Sequence, residues 1–297
     1  MNEDGDIDYR NRSLEELRES CLNIDRRHYP KNLQNLLREL VARGGTDPTT
    51  EVVPAKATET RGSASALFEF AKGAYCTSTI CVALLAIFAL EFLCRGAGSS
   101  IQNSVVAAGL IKARTMHGEW WRLLTGPLLH ANMQHVYYNV VALFLFGGVV
   151  ERIVSRAVLP LVVLLSALSG SIASLIVLPR TTTVGISGAV MGVMGFFLAY
   201  QLTRSPRLSP RAFIWVGVNI GINLVIGAVA HSTIDNAAHI GGLLTGLLLG
   251  LVFTAPQRTE NQVPIQLPAA AQVLGLSSAA VLIAACGFTI FRLLAAG

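Results

Sequence analysis

The chain has 297 residues, of which 52% are hydrophobic and 14% are charged, with a formal net charge of +5 and a mean hydropathy of +0.54. This composition excludes an ordinary soluble domain and indicates a protein that crosses a membrane several times. The five cysteines show no paired spacing, so we predict neither a disulfide framework nor a metal site.

The charges divide unevenly along the chain. Residues 1–75 hold 11 basic and 13 acidic side chains, whereas the remaining 222 residues hold 12 basic and five acidic ones. The opening Met-Asn-Glu-Asp-Gly-Asp is acidic and has no apolar run, which argues against a cleaved signal peptide and against a mitochondrial presequence. We therefore expect the N-terminus to stay in the cytoplasm.

Residues 1–65 are predicted to be a cytoplasmic N-terminal extension with short helices and a linker. Ser13-Leu14-Glu15-Glu16 has the pattern of a helix-capping box. A second helix is predicted where apolar residues recur at helical spacing, namely Leu33, Leu36, Leu37, Leu40 and Val41. Residues 46–64 are rich in Thr, Pro, Ala and Glu, which is typical of a flexible tether.

Seven long apolar segments follow the extension, each close to the ~20 residues that cross about 30 Å of hydrocarbon. They cover residues 75–95, 134–153, 158–178, 185–203, 211–230, 235–254 and 270–293. Very short loops separate the third to sixth segments. This spacing favours an antiparallel helical bundle.

The basic loops predict the orientation of these spans, because Lys and Arg are enriched on the cytoplasmic side. Basic residues follow the second, fourth and sixth spans, whereas the loop between the fifth and sixth has none. The long 95–133 loop is an exception, since it carries Arg95, Lys112, Arg114 and Arg122. Spans two, four and six should therefore all begin at the outer face of the membrane.

Polar residues cluster at those outer ends, where burial without partners would be costly. His135 and Asn139 open the second span, Ser187 opens the fourth, and His239 lies one turn into the sixth. A neutral histidine is the usual activator of a serine nucleophile, so Ser187 and His239 could form a catalytic dyad. His135, Asn139 and the backbone N–H of Ser187 could stabilise an oxyanion.

These residues resemble the motifs of the rhomboid intramembrane serine proteases, and they occur in that family's order. The motifs are His135-Val136-Tyr137-Tyr138-Asn139, Gly185-Ile186-Ser187-Gly188, and His239-Ile240-Gly241-Gly242 with Gly246 and Gly250. Trp121-Arg122 looks like the family's Trp-Arg element, and His130 precedes His135 by five residues. One departure is Met191, because some members carry an aromatic ring at this position.

The resemblance implies a role for each residue. Ser187 would be the nucleophile and His239 the general base, while His135, Asn139 and Ser187 would form the oxyanion hole. Structural support would come from Gly185, Gly188, Gly242, Gly246, Trp121, Arg122 and His130. The resemblance also implies an all-α, rhomboid-like six-helix transmembrane bundle over residues 66–256, followed by a linker and an additional seventh transmembrane helix at 257–297.

The expected activity is hydrolysis of peptide bonds in or near the transmembrane segment of single-pass membrane proteins, through an acyl-enzyme. We expect no cofactor, no metal and no nucleic acid, and the expected partners are these substrates and the lipid bilayer. Either a cell membrane or a secretory-pathway membrane suits the orientation. The sequence does not indicate a partner for the N-terminal extension.

Other interpretations remain open from the residues alone. Serine between glycines is often only a close-packing position, and an intramembrane histidine can belong to a proton path. A rhomboid-fold protein that binds clients without cutting them, or a channel, would be a different class of function. Asp235 lies one turn before His239, and we favour a helix N-terminal role for it over a Ser-His-Asp triad.

Overall fold

The computed structural model describes residues 7–25, 28–45, 73–94, 102–154, 156–178, 181–204, 210–229, 234–254 and 268–296. The chain divides into two compact units, Met1–Ala66 and Leu67–Gly297. The tether predicted at 46–64 lies outside the described residues. A separate C-terminal region at 257–297 stays a prediction.

The N-terminal unit is a pair of helices, α1 (Leu14–Asn23) and α2 (Pro30–Ala42). The predicted capping box is confirmed, because the Ser13 N–H donates to Glu16 Oε2 at 2.7 Å and the Glu16 N–H donates to Ser13 Oγ at 3.3 Å. Leu17, Leu36 and Leu40 form the centre of a small apolar core.

Val41 does not join this core, although the predicted apolar set includes it. Leu36 and Leu40 are four residues apart and lie on one face of α2, where both are fully buried. Val41 is rotated by about 100° from Leu40 on the 3.6-residue helical turn, and its side chain is 64% exposed. The predicted helix is correct, but its buried face is narrower than the sequence pattern indicates.

The second unit contains apolar helices at each of the seven predicted places. They are α3 (Tyr75–Cys94), α7 (Met133–Ile153), α8 (Val158–Val177), α9 (Ser187–Arg204), α10 (Pro210–Val229), α11 (Asn236–Thr254) and α12 (Ala269–Leu294). Five of them, α3, α7, α8, α11 and α12, are long and apolar enough to cross a membrane. The apolar parts of α9 and α10 are shorter, at Ser187–Thr203 and Phe213–Val229. The predicted all-α, multi-pass membrane fold is confirmed.

A loop with its own structure joins α3 to α7, and we call residues 102–132 the first loop. It contains α4 (Gln102–Ala108), β1 (Leu110–Ile111), α5 (Lys112–Met116), α6 (Arg122–Thr125) and a 3-10 turn (Gly126–Leu128). Strand β1 pairs antiparallel with β2 (Thr182–Thr183), which lies just before α9, and Leu110 is opposite Thr183. The first loop is thereby joined to the segment that leads into Ser187.

Helix α9 lies at the centre of the bundle and packs against α11, α8 and α7. Its contact with α11 is the closest of these because glycines on both helices leave no side chains between them. A Cβ atom on Gly242 would collide with the carbonyl oxygen of Gly188, and one on Gly246 would collide with that of Gly192. The two backbones therefore touch over at least one helical turn.

Glu151, near the C-terminal end of α7, caps the N-terminus of α3. Its carboxylate accepts the backbone N–H groups of Cys76 at 2.9 Å and Thr77 at 2.8 Å, and also the Thr77 hydroxyl at 2.8 Å. Helix N-termini carry unpaired N–H groups and a partial positive charge, so a buried carboxylate is favourable there. This cap joins α7 to α3 through side-chain to backbone bonds.

The C-terminal helix α12 packs against α8 and α3 and reaches the first loop. Gly275 lies directly against the carbonyl of Ala157, at the start of α8. Near the other end of α12, the Arg292 guanidinium lies 4.7 Å from the centre of the Trp121 ring, and Phe288 meets that ring edge to face at 5.2 Å. The additional helix is therefore fixed to the bundle at both ends.

The close contact of α9 with α11 predicts a large difference between two glycine substitutions. Gly246→Ala forces the backbones apart and should lower stability by about 1–3 kcal/mol, the usual cost of overpacking. Gly217→Ala on α10 is the matched control, because no atom lies within 4 Å of the added methyl group. Thermal unfolding in detergent should show a lower Tm for Gly246→Ala only. An equal Tm for both variants would contradict this account of the packing.

Candidate functional site

Ser187 is the first residue of α9 and follows a tight turn. Gly185 has a φ of +113°, a conformation that side chains other than glycine rarely adopt. Its N–H donates to the carbonyl oxygen of Gly126 at 3.3 Å, so the turn is bonded to the first loop. The following Ile186 is buried in the main core, while Ser187 is half-buried. The turn therefore places the hydroxyl at the end of the helix, between core and surface.

His239 lies in the first turn of α11 and meets Ser187 directly. The distance from His239 Nε2 to Ser187 Oγ is 2.9 Å, and the histidine is only 5% exposed. Its other ring nitrogen, Nδ1, has no hydrogen-bond partner among the described residues. This geometry suits proton transfer from the hydroxyl to the imidazole.

Three helices meet beside this pair, and small residues make the meeting possible. A Cβ atom on Gly170 of α8 would lie 2.8 Å from the carbonyl oxygen of Ala238, and one on Gly188 would lie 3.1 Å from the same oxygen. Ala238 directly precedes His239 in α11. Gly188 and Gly242, both predicted as structural support, thus allow α11 to bring His239 to Ser187.

Asp235 is the N-cap of α11, as its predicted helix N-terminal role requires. Its Oδ1 accepts the Ala238 N–H at 3.0 Å, and its Oδ2 accepts the Thr183 hydroxyl at 2.8 Å and the Ser174 hydroxyl. Among the described residues, the His239 ring is hydrogen-bonded to Ser187 and not to the Asp235 carboxylate. The structure thus shows the helix N-terminal role favoured for Asp235, and the described hydrogen bonds pair Ser187 with His239 alone.

His135 and Asn139 lie one turn apart in α7, and His135 contacts the serine turn. The His135 ring packs against Gly185, where a Cβ atom would lie 2.7 Å from Nε2. Asn139 is buried, and its Nδ2 has no hydrogen-bond partner in the part of the chain that the structure describes. An unbonded amide donor in such a place can stabilise a negative charge.

Arg122 organises the first loop from within. Its buried guanidinium donates to the carbonyls of Gly109 at 2.7 Å and Val106 at 2.9 Å, and it pairs with Glu119 at 2.5 Å. It also lies 4.4 Å from the centre of the Trp121 ring, on which Arg292 packs as well. Trp121 is therefore a packing centre between α12 and the first loop, whereas its neighbour Trp120 is exposed.

Two of the basic residues that make the 95–133 loop an exception to the predicted orientation are not surface charges. The side chains of Lys112 and Arg122 are both fully buried. Lys112 is ion-paired with Asp235 and Arg122 with Glu119. Both are internal charges that stabilise the fold, so they do not indicate on which side of the membrane the loop lies. Arg95, the first residue of the predicted 95–133 loop, lies outside the described residues.

Small residues line a depression beside Ser187. Its walls include Gly185, Gly188, Ala189, Ala238 and Thr183. The space that these residues leave next to the serine turn is about the size of one water molecule. Met191, at the position where the sequence departs from some members of the resembled family, is buried in the main core.

Lys112, Ser174 and Thr183 contact the site's framework but are absent from the predicted set. Only Lys112 gave a signal, because a lysine that follows Leu110-Ile111 and precedes alanine is unusual in an apolar stretch. Ser174 and Thr183 are ordinary small polar residues, and their partner Asp235 is 61 and 52 residues away. No local pattern identifies such pairs.

His130 predicts a pH dependence of stability. Burial, together with the neighbouring His135 ring at 5.2 Å, lowers the pKa of His130 to about 3. An unfolded histidine titrates near 6.5. The unfolded chain therefore binds a proton in the window between about 6.5 and 3 that the folded chain does not, and stability is lost as the pH falls through it. The loss is at most about tenfold in the unfolding equilibrium per pH unit.

We therefore expect His130→Gln to reduce the acid sensitivity of the fold. The Tm of the unaltered protein should fall more between pH 7 and pH 5 than that of the variant, in matched detergent. The variant should have a lower Tm at pH 7, so the fall in Tm between pH 7 and pH 5 is measured for each protein from its own value at pH 7. An identical fall in both proteins would show that His130 does not bind this proton on unfolding.

Parts of this chain are similar to known proteins. Residues 117–256 match the family described as the rhomboid domain. The chain is 34% identical to rhomboid protease GluP of Bacillus subtilis over 149 residues, which cover 50% of this chain and 29% of that protein.

Two further relatives are RHOMBOID-like protein 6, mitochondrial, of Arabidopsis thaliana and rhomboid protease GlpG of Haemophilus influenzae. The first is 38% identical over 85 residues, covering 29% of this chain and 28% of that protein. The second is 34% identical over 79 residues, covering 26% and 40%. The chain thus spans less than half the length of each of these relatives.

Proposed function

We propose that this chain is an intramembrane serine protease of the rhomboid family. It would hydrolyse peptide bonds in or near the transmembrane segment of single-pass membrane proteins. The relatives that are named as rhomboid proteases support this assignment. The observation that carries it is the 2.9 Å distance between His239 Nε2 and Ser187 Oγ, at helix ends where three helices converge.

In the proposed reaction, Ser187 Oγ attacks the carbonyl carbon of the peptide bond while His239 Nε2 accepts the hydroxyl proton. The imidazolium returns this proton to the leaving amine, the C–N bond breaks, and the substrate's acyl group remains on Ser187 as an ester. Water then attacks the ester, His239 accepts a proton from the water, and Ser187 leaves with that proton. No metal or cofactor takes part in these steps.

The tetrahedral intermediates carry a negative oxygen that needs donors. The backbone N–H of Ser187 is available because the first N–H groups of a helix have no partner within it. Asn139 Nδ2 is buried without a partner among the described residues, and His135 lies against the serine turn. We assign the oxyanion hole to these three groups.

A substrate helix would have to unwind before it could be cut. An intact helix holds each carbonyl in a hydrogen bond to the N–H four residues later, so the scissile carbonyl is unavailable. Small or helix-breaking residues near the cleavage site lower the cost of unwinding.

From the distribution of basic loop residues, the N-terminus would lie in the cytoplasm and the site near the outer face of the membrane. A cell membrane or a secretory-pathway membrane would suit this orientation. Single-pass substrates would then enter from the lipid bilayer, and neither nucleic acid nor a metal is required. The N-terminal unit would stay on the cytoplasmic side.

Cleavage of a tagged single-pass reporter in membranes tests the proposed activity. We expect cleavage by the unaltered protein and its loss in both Ser187→Ala and His239→Ala at matched expression, because each removes one half of the dyad. A panel of reporter spans with small-residue motifs covers the expected substrate class. Persistent cleavage by Ser187→Ala would refute a serine mechanism, and binding without cleavage across the panel would favour a client-binding protein.

Asn139→Ala tests the oxyanion hole. Removing one such donor should lower kcat by roughly 100- to 1000-fold with little change in KM. Asn219→Ala on α10 is a matched control, since that amide donates to the Trp215 carbonyl of its own helix at 2.8 Å. Steady-state kinetics on the reporter should separate the two variants. A kcat for Asn139→Ala within twofold of the control would remove Asn139 from the proposed site.

A further inference from the structure

Two opposite charges lie inside the protein beside the Ser-His pair. The Lys112 side chain is fully buried, and the Asp235 side chain is only 14% exposed. Lys112 Nζ and Asp235 Oδ2 are 3.7 Å apart, so they form a buried ion pair. A buried charge is very costly unless it is paired and hydrogen-bonded. The role of this pair in the protein therefore needs an explanation, because an ion pair on the surface would not carry this cost.

Hydrogen bonds complete the surroundings of both charges. Lys112 Nζ donates to Thr181 Oγ1 at 2.6 Å. Asp235 Oδ2 accepts the hydroxyls of Thr183 and Ser174, and Oδ1 accepts the Ala238 N–H. Burial raises the pKa of Asp235, but these hydrogen bonds and the charge of Lys112 outweigh it and hold the pKa below its ordinary value. The carboxylate is therefore ionised at neutral pH.

The carboxylate connects four separate elements. Lys112 belongs to the first loop, Thr183 to β2, Ser174 to α8, and Asp235 itself caps α11. The antiparallel pair of β1 and β2 adds a second connection between the first loop and Thr183, because Leu110 is opposite Thr183. One side chain thus joins the first loop, the segment before the serine, and the helix that carries the histidine.

The spacing along the chain links this carboxylate to the reacting atoms. Thr183 precedes Ser187 by four residues, and Asp235 precedes His239 by four. The His239 N–H also donates to the Asp235 carbonyl at 3.2 Å. A bond from Asp235 to Thr183 therefore bridges the two short segments that end in the nucleophile and the base. Ser174 supports this bridge, because its hydroxyl contacts both Asp235 and the Thr183 hydroxyl. If the Thr183 hydroxyl is lost, packing and the Ser187–His239 contact still join the two segments.

We propose that Asp235 and Lys112 are positioning residues, which hold the Ser187 turn and the His239 helix at their reactive separation through Thr183. The inference rests on the proposed protease function. Reaction rates depend steeply on the alignment of the reacting groups, and a misplacement of about 1 Å costs on the order of 100-fold. The bridge should therefore affect kcat much more than KM.

Thr183→Val is the sharpest test, because valine has nearly the shape of threonine but lacks the hydroxyl. The substitution leaves the Asp235 helix cap and the Lys112–Asp235 ion pair intact. We expect kcat on the reporter to fall about tenfold with KM within about twofold, an intermediate effect because the remaining contacts persist. Thr203→Val is the matched control. Its hydroxyl contacts Thr254 at 2.6 Å, which also joins α9 to α11, but at their far ends.

The control separates positioning from stability. Both valine variants should lose similar, small amounts of Tm, and only Thr183→Val should lose kcat. If the loss of kcat simply follows the loss of Tm across both variants, the bridge is structural and the proposal is overturned. An unchanged kcat in Thr183→Val would have the same meaning.

Charge variants test the ion pair itself. Asp235→Asn keeps an acceptor for the cap but leaves Lys112 as an unpaired buried charge, so we expect losses of both Tm and kcat. Adding Lys112→Met should restore Tm, because no unpaired charge remains, and should leave kcat below that of the unaltered protein. A double variant that is no more stable than Asp235→Asn would show that the two charges are not coupled.

Hydrogen exchange provides a readout that does not depend on catalysis. Amides in segments 182–188 and 236–240 should exchange faster in Thr183→Val and Asp235→Asn, and at the original rate in Thr203→Val. Unchanged exchange in both site variants would overturn the positioning role even if no reporter were cut. Faster exchange in a protein without protease activity would instead support the bridge and reject only the proposed function.

Discussion

The contact between the backbones of α9 and α11 is the constraint on which the site depends. Ser187 and His239 belong to different helices, and their side chains are too short to meet across an ordinary helix separation. Glycines at 188, 192, 242 and 246 remove the side chains that would hold the helices apart. The hydroxyl and imidazole then come within 2.9 Å at the helix ends. The geometry of the Ser-His pair is here a consequence of packing.

Polar groups in this apolar protein are placed at helix ends and connections, where they bind backbone groups or each other. Glu151 caps α3, Arg122 binds the carbonyls of the first loop, and Asp235 caps α11 while pairing with Lys112. Each contact satisfies a buried charge and also joins two or more elements. The donor on Asn139 is different, since no described residue uses it. This donor is the basis for the proposed oxyanion role of Asn139.

Much of the fold could be predicted because its signals are local. Apolar runs gave seven helices at the expected places, and the motif residues His135, Ser187 and His239 lie together as their spacing and the helix orientation predicted. The rest depends on contacts between distant residues. Lys112 was counted as a loop charge because its partner Asp235 is 123 residues away, and the Trp121–Arg292 contact spans even more of the chain. Val41 fits the apolar period of its helix, yet only the packing of α1 on α2 decides which face is buried.

Mass spectrometry after fluorophosphonate treatment tests the central claim most directly, because the reagent forms a covalent bond only with an activated serine. The account predicts one adduct, on Ser187, in the folded protein in detergent. It also predicts that His239→Ala labels at least about 100-fold more slowly, the usual contribution of a general base. Labelling at another residue, or equal labelling of Ser187 in His239→Ala, would contradict the dyad.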